Sequence, residues 1–305
     1  MNTAHQEALS RLGAIATANE SLAPYTTYRV GGAAAVFVSP RNEDDLHLIA
    51  AVVRDTELPT LVVGRGSNLL IADSGFPGIA ISLATMAEWV RFEDVVVHVG
   101  AAMALPVLAR RCVAAGLVGF EWAVGVPGSV GGAVRMNAGG HGSDMAATLI
   151  GVHLLDLRTS SHAWVAVEQL GLRFRGSDVG DHQVVLDARL RLQHGDTHAA
   201  EATLAEIVRW RREHQPGGQN AGSVFVNPIP GQLAAAELID KLGLRGFRIG
   251  GASVSEKHAN FIQAGEGCTA SDVRAVIEHV RAEVQRAMGV ELRSEVTLVG
   301  FNDHD

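Results

Sequence analysis

The chain has 305 residues, with 47% hydrophobic and 19% charged residues, enough for a compact fold with a sizeable core and for two or three domains. A formal net charge of −8 leaves no basic imprint of a duplex-binding surface, although small anionic ligands need only a local positive site. Two cysteines, Cys112 and Cys268, stand far apart and outside any CxxC pattern, which excludes a disulfide framework and fits a reducing cytoplasm.

The start, MNTAHQEALSRLGAIA, lacks a basic segment followed by an apolar core. No stretch approaches 18 uninterrupted apolar residues, so a soluble, unexported, cytoplasmic protein is expected. Residues 42–54 are predicted as a helix, with Asn42 as N-cap and acidic residues in the first turn. Short strands are predicted at 60–63, 79–83 and 95–99, and a helix at 104–115 that stops at Gly116. This mixture of strand and helix is that of an α/β or α+β fold.

Strand patterns follow at 150–157, 163–167 and 184–192. In the last, Leu186, Ala188, Leu190 and Leu192 alternate with polar residues, as in a half-exposed antiparallel strand. His194 and His198 flank Asp196 in a Gly-Asp-Thr turn, which reads as a solvated loop rather than a metal site. A helix is predicted over 200–212, and the loop 215–222 is the best internal boundary. Residues 272–288 form the clearest helix, with Ser271 as its expected N-cap. Val273, Val276, Ile277, Val280, Val284 and Ala287 make one apolar stripe for core packing.

Two glycine-rich loops carry the binding signal. Seven glycines lie between Gly125 and Gly142, and glycine lets backbone N–H groups approach a phosphate closely. No Gly-Lys-Ser/Thr follows, so this is not a P-loop, nor is it a convincing dinucleotide fingerprint. The second loop, in VVGRGSNLLIAD at 62–73, offers a cradle with Arg65 to balance charge. Together they suggest two loops closing on one diphosphate cofactor. The expected contacts are Val63, Gly64, Arg65, Gly66, Ser67, Asn68 and Leu69 from the second loop. From the first they are Pro127, Gly128, Ser129, Gly131, Gly132, Asn137, Ala138 and Gly139.

Three further segments are open to two readings. In LRFRGSD, 172–178, an alternating strand puts Arg173 and Arg175 on one face, to bind a carboxylate or merely to face solvent. Ser223, in NAGSVFVNP at 220–228, has no GxSxG elbow. It is either a turn serine or a proton donor to a carbanion. Glu295, leading into an apolar strand, is either a catalytic acid or an edge charge.

These segments, in this order, resemble the UDP-N-acetylenolpyruvoylglucosamine reductase (MurB) family. The resemblance runs from about residue 20 to 301. It rests on YTTYRVGG (25–32), VVGRGSNLLIAD, GFEWAVGVPGSVGGAVRMNAGGHG (119–142), FRGS (174–177), NAGSVFVNP, SVSEKHANFI (253–262) and LRSEVTLVGF (292–301).

The resemblance implies an α+β fold: an FAD-binding region of the vanillyl-alcohol-oxidase (PCMH) type in two α+β subdomains, 1–85 and 86–199, and an α+β substrate-binding domain, 200–305, whose last strand returns to the FAD region. It implies FAD and NADPH as cofactors, reduction of an enolpyruvyl UDP-sugar to UDP-N-acetylmuramate in peptidoglycan precursor synthesis, and a monomer with neither nucleic-acid partner nor membrane insertion. Arg175 matches the family's carboxylate-holding arginine, Ser223 its proton donor, Glu295 its glutamate near the enolate, and Asn227 a substrate contact. Val226 stands where lysine is frequent, which leaves Lys241 or Arg245 to compensate. It also keeps open a related flavoenzyme acting on another substrate. Phe174 replaces a tyrosine, and Ala264 an asparagine. No Tyr-bearing lid insertion lies between FRGS and NAGS, as in the shorter class of the family.

Overall fold

The computed structural model describes residues 2–229 and 231–301. The chain divides into two compact units. One comprises 1–20, 35–65 and 77–211; the other comprises 21–34, 66–76 and 212–305.

The first unit holds helices α1 (Thr3–Leu12), α2 (Glu43–Thr56), α3 (Leu105–Ala114), α4 (Val130–Met136) and most of α5 (Thr197–His214). As expected, the side chain of Asn42 caps α2, accepting from Asp45 N at 2.9 Å. α3 stops before Gly116 at φ +79°. α5 runs three residues earlier than the pattern suggested, because Asp196 Oδ1 accepts from His198 N (2.9 Å) and Ala199 N (3.2 Å). That carboxylate starts a helix, and His194 pairs with Asp94 instead (2.7 Å).

Two sheets build this unit. One orders Ala16–Ser21, Ala33–Val38, Phe76–Ile81 and Thr60–Val62, the last two parallel. The other orders Ser161–Ala166, Leu149–Asp156, Gln183–Arg191, Val96–Gly100 and Val90–Glu93, every pair antiparallel. The alternation read in 184–192 holds from Ala188 on: Ala188, Leu190 and Leu192 are buried, Arg189 half-buried and Arg191 exposed, whereas Leu186 is only half-buried. A continuous core joins both sheets to their helices.

The second unit packs α6 (Ala235–Lys241) and α7 (Ala270–Met288) with a three-stranded antiparallel sheet: Arg248–Ile249, Ala252–Val254, Ile262–Ala264. Val273, Val276, Ile277, Val280 and Val284 are buried, as the stripe predicted, whereas Ala287, in the last turn, is exposed. The N-cap is Thr269, not Ser271. Thr269 Oγ1 accepts from Asp272 N (3.0 Å) and Asp272 returns the bond to Thr269 N (3.0 Å), a closed capping box. Ser271 is drawn elsewhere: its hydroxyl donates to Asp73 (2.7 Å), whose carboxylate also accepts from Ala270 N and Ser271 N (both 2.9 Å). An anion at a helix N-terminus is stabilised by the unpaired N–H groups and the helix dipole. Bonds from the backbone N–H groups of Thr269 and Gly251 hold the Asp272 carboxyl below the ordinary carboxylate range.

Asp73 follows the strand Leu69–Ile71, which pairs in parallel with Thr297–Val299. The last strand therefore joins a segment more than 200 residues earlier in the chain. Among the described residues no helix is long and apolar enough to cross a membrane.

Candidate functional site

In the first unit a cavity of about 130 Å³ opens between strand ends and the start of α4. Six expected contacts line it: Val63, Gly64, Arg65, Ser129, Gly131 and Gly132. The two loops meet here, since a Cβ on Gly64 would lie 2.4 Å from Ser129 Oγ. The glycine therefore permits a contact between loops as well as an approach to a ligand. Arg65 is exposed and makes no salt bridge among the described residues, so its charge is available to an anion. Sequence reasoning missed Ser82, Ala84, Glu88, Ala101, Ala102, Arg135, Val179, Gln183 and Val185, which also line the cavity. Arg135 sits in α4; the others come from strands and turns scattered over residues 82–185 and share no local motif.

The stretch 125–140 is not one continuous loop: it follows a 3₁₀ turn at Glu121–Gly125 and contains the helix α4. Gly128, at φ +139°, lets the chain turn into the helix. The N–H groups of Val130 and Gly131 donate to Met103 O (3.0 Å) and Ala101 O (2.9 Å), so they are already satisfied. Pro127, Gly128, Asn137, Ala138 and Gly139 do not line the cavity, and Gly139 pairs with Asp144 in a short antiparallel ladder.

Asn137 is buried, and its amide is fully used within the protein. Nδ2 donates to Asp144 (3.1 Å) and Arg173 O (3.3 Å), and Oδ1 accepts from Ala146 N (3.0 Å). It thus anchors the segment that carries Arg175. That segment is a tight turn, not an alternating strand. Arg173 and Gly176 exchange backbone bonds of 2.9 and 3.1 Å, and Arg175 adopts φ +57° between them. The shared face expected for Arg173 and Arg175 is therefore lost: the chain reverses at Arg175, between the two bonded residues Arg173 and Gly176. Arg173 pairs with Asp178, and Ser177 Oγ donates to Arg135 O (2.7 Å), which pins the far end of the turn to α4. The Arg175 guanidinium lies 4.8 Å from the Phe174 ring centroid, so the ring that replaces the tyrosine still supports it.

Ser223 and Glu295 belong to the second unit, on adjoining extended segments. Glu295 N donates to Val224 O (2.7 Å), Val226 N donates to Arg293 O (2.9 Å), and Phe225 bridges Ser294. Ser223 is half-buried, and among the described residues its hydroxyl makes no hydrogen bond. Asn260, buried, braces this pair from one side. It accepts from Phe225 N (2.9 Å), donates to Phe225 O (2.8 Å), and its own carbonyl takes Val224 N (2.9 Å).

Asn227 is exposed. Its Oδ1 accepts from Ala235 N (3.1 Å) at the start of α6, which leaves the amide hydrogens as donors. Of the two cations offered in place of the absent lysine, Arg245 is committed to Asp240 and to Glu256 O (2.7 Å), and Lys241 is exposed at the end of α6. Gly66, Ser67, Asn68 and Leu69 also fall in this unit and do not line the cavity.

His258 supports the same brace, because its Nδ1 accepts from Asn260 N (3.3 Å). Burial, helped by Arg245, lowers its pKa from the ordinary 6.5. The unfolded chain then takes the proton at higher pH than the folded one. The stabilising contribution is full above 6.5 and is lost as pH falls through the lower folded value. His141, lowered by burial and then by Arg211, has the same sign. Thermal unfolding followed from about pH 8 to about pH 5 is expected to show an acid loss of stability that His258→Gln reduces. Identical slopes for wild type and variant would refute the assignment.

Comparison with known proteins places these features in a family. Residues 34–162 match the FAD binding domain, and residues 213–299 match the UDP-N-acetylenolpyruvoylglucosamine reductase C-terminal domain. The reductase of Heliobacterium modesticaldum is 42% identical over 92% of this chain and 90% of its own. That of Bacillus subtilis is 38% identical over 93% of this chain and 94% of its own. The crystal structure of the Thermus caldophilus enzyme superposes with a TM-score of 0.77 at 33% identity, covering 92% of this chain and 97% of that one. The expected α+β fold, with an FAD-binding region and a C-terminal domain of this type, is thereby borne out. The chain belongs to the UDP-N-acetylenolpyruvoylglucosamine reductase family.

Proposed function

We propose that the chain reduces the enolpyruvyl ether of UDP-N-acetylglucosamine-enolpyruvate to UDP-N-acetylmuramate, with FAD bound and NADPH as reductant. The observation that carries this reading is 42% identity to a named reductase, extending over 92% of the chain. Further support is a cavity lined by Gly64, Ser129, Gly131 and Gly132, with Arg65 to meet a diphosphate. Bound there, FAD would supply the hydride, drawn from NADPH, that adds to the terminal enolpyruvyl carbon.

The side chains act on the substrate. Arg175 holds the substrate carboxylate. As the C=C electron pair moves toward the neighbouring carbon and that carboxylate, the guanidinium stabilises the growing enolate charge. Glu295, protonated, donates a hydrogen bond to the same carboxylate. Ser223 breaks its O–H bond and delivers the proton to the carbon next to the carboxylate, and solvent reprotonates the alkoxide. Asn227 contacts the substrate through its amide hydrogens. The remaining lining residues of the two glycine-rich loops hold the cofactor.

The reading includes two FAD-binding subdomains, 1–85 and 86–199, and a substrate domain, 200–305, to which the two separate sheets of the first unit lend support. It also includes a cytoplasmic, monomeric enzyme of peptidoglycan precursor synthesis, and through that pathway a part in cell shape and division. The test is turnover by the purified flavoprotein. NADPH oxidation must require the enolpyruvyl UDP-sugar and consume it one for one. Flavin binding without sugar-dependent oxidation of NADPH would reject the reading.

A further inference from the structure

Asn68 lies in the loop expected to meet the cofactor, but its side-chain amide nitrogen and its backbone carbonyl both bond to the far end of the chain. Its Nδ2 donates to Glu295 O at 2.9 Å, and its own carbonyl accepts from Thr297 N at 2.9 Å. The parallel ladder between Leu69–Ile71 and Thr297–Val299 begins one residue after Asn68, and Thr297 sits opposite Leu69. The Asn68 side chain therefore extends that ladder by one step, to the carbonyl of the residue that bears the carboxylate. On the other side Glu295 N donates to Val224 O at 2.7 Å, next to Ser223. Both backbone polar groups of Glu295 are thus fixed, one by the Ser223 segment and one by the Asn68 amide.

We propose that Asn68 is a positioning residue for Glu295: its side-chain amide fixes the Glu295 backbone against the Ser223 segment, and FAD affinity does not depend on it. The inference rests on the reading of Glu295 given above. The physical cause is leverage. Glu295 precedes a three-residue strand at its chain end, and the ladder itself supplies no donor for its carbonyl. Without the amide the Glu295 carbonyl loses the Asn68 donor, and the backbone bond that stays on that side, from Thr297 N to Asn68 O, lies two residues further on. A misplacement of about 1 Å in a group that meets the transition state slows a reaction by about 100-fold.

The experiment compares holoenzyme carrying Asn68→Ala or Asn68→Asp with wild type. The aspartate variant keeps the shape and removes the donor, so a packing defect in the alanine variant does not obscure the result. Flavin reduction by NADPH and reoxidation by the enolpyruvyl UDP-sugar are followed separately under anaerobic conditions. Reoxidation is expected to slow by about tenfold or more, while reduction by NADPH and FAD affinity stay within about twofold of wild type. In the flavin-free protein, amide hydrogen exchange over 293–297 is expected to accelerate, with the strand Gln183–Arg191 unchanged.

An unchanged ratio of the two half-reactions overturns the proposal, whether both fall or neither does. Loss of FAD from both variants also overturns it, in favour of a cofactor contact. If wild-type flavin is reduced by NADPH but never reoxidised by the sugar, the reading of the site fails, and this inference with it.

Discussion

Ser223→Ala is expected to slow proton-coupled transfer to the UDP-sugar by roughly 10²–10⁴-fold, the usual worth of a positioned proton donor. Reduction of the flavin by NADPH is expected to continue at the wild-type rate, because no proton from Ser223 enters that step. The substitution removes one oxygen from a half-buried side chain that makes no hydrogen bond among the described residues. Packing is therefore preserved, and the loss is chemical. The two half-reactions, measured by stopped flow on the same preparation, separate these contributions. Equal loss in both would remove Ser223 from the role of proton donor.

Gly66→Ala is expected to destabilise the protein by about 3–4 kcal/mol, from a non-glycine residue at positive φ together with overpacking against rigid backbone. Gly66 is buried at φ +55°, and a Cβ there would lie 2.2 Å from Tyr25 O and 2.7 Å from Thr26 Cα. The backbone of Thr27 also donates to Gly66 O (3.3 Å). This close approach explains why YTTYRVGG and GRGSN occur in the same chain: the first motif packs on the second. Gly142→Ala is the control. It has φ +86° with nothing within 4 Å of the added carbon, so only the conformational cost of about 1 kcal/mol remains. Urea unfolding of the two variants measures the difference. Equal losses would mean that Gly66 serves conformation alone.

Local patterns in the sequence were read well where one element decides the outcome. The Asn42 cap, the stop at Gly116, the alternation in Gln183–Arg191 and the stripe of α7 each depend on neighbours a few residues away. The misreadings arose where a distant partner intervened. Ser271 looks like a cap until Asp73, 198 residues earlier, takes its hydroxyl. Arg173 and Arg175 look like one strand face until Gly176 closes a turn that Asn137 pins from α4.

The cofactor loops show the same division. Glycine content points to Gly64, Ser129, Gly131 and Gly132, and these line the cavity. Asn68 and Asn137 resemble polar ligands in the sequence, yet both spend their amides on backbone carbonyls of other segments. Ser82, Ala101 and Gln183 reach the cavity only because the two sheets deliver strand ends to one place. No periodicity or motif announces that.

Electrons are expected to pass from NADPH through bound flavin to the enolpyruvyl sugar. The most direct measurement is an anaerobic absorbance titration of the purified yellow protein. NADPH in equimolar amount is predicted to bleach the flavin. Adding the enolpyruvyl UDP-sugar is then predicted to restore the full colour and yield one equivalent of UDP-N-acetylmuramate. Flavin that bleaches with NADPH and stays bleached in the presence of the sugar would contradict the account.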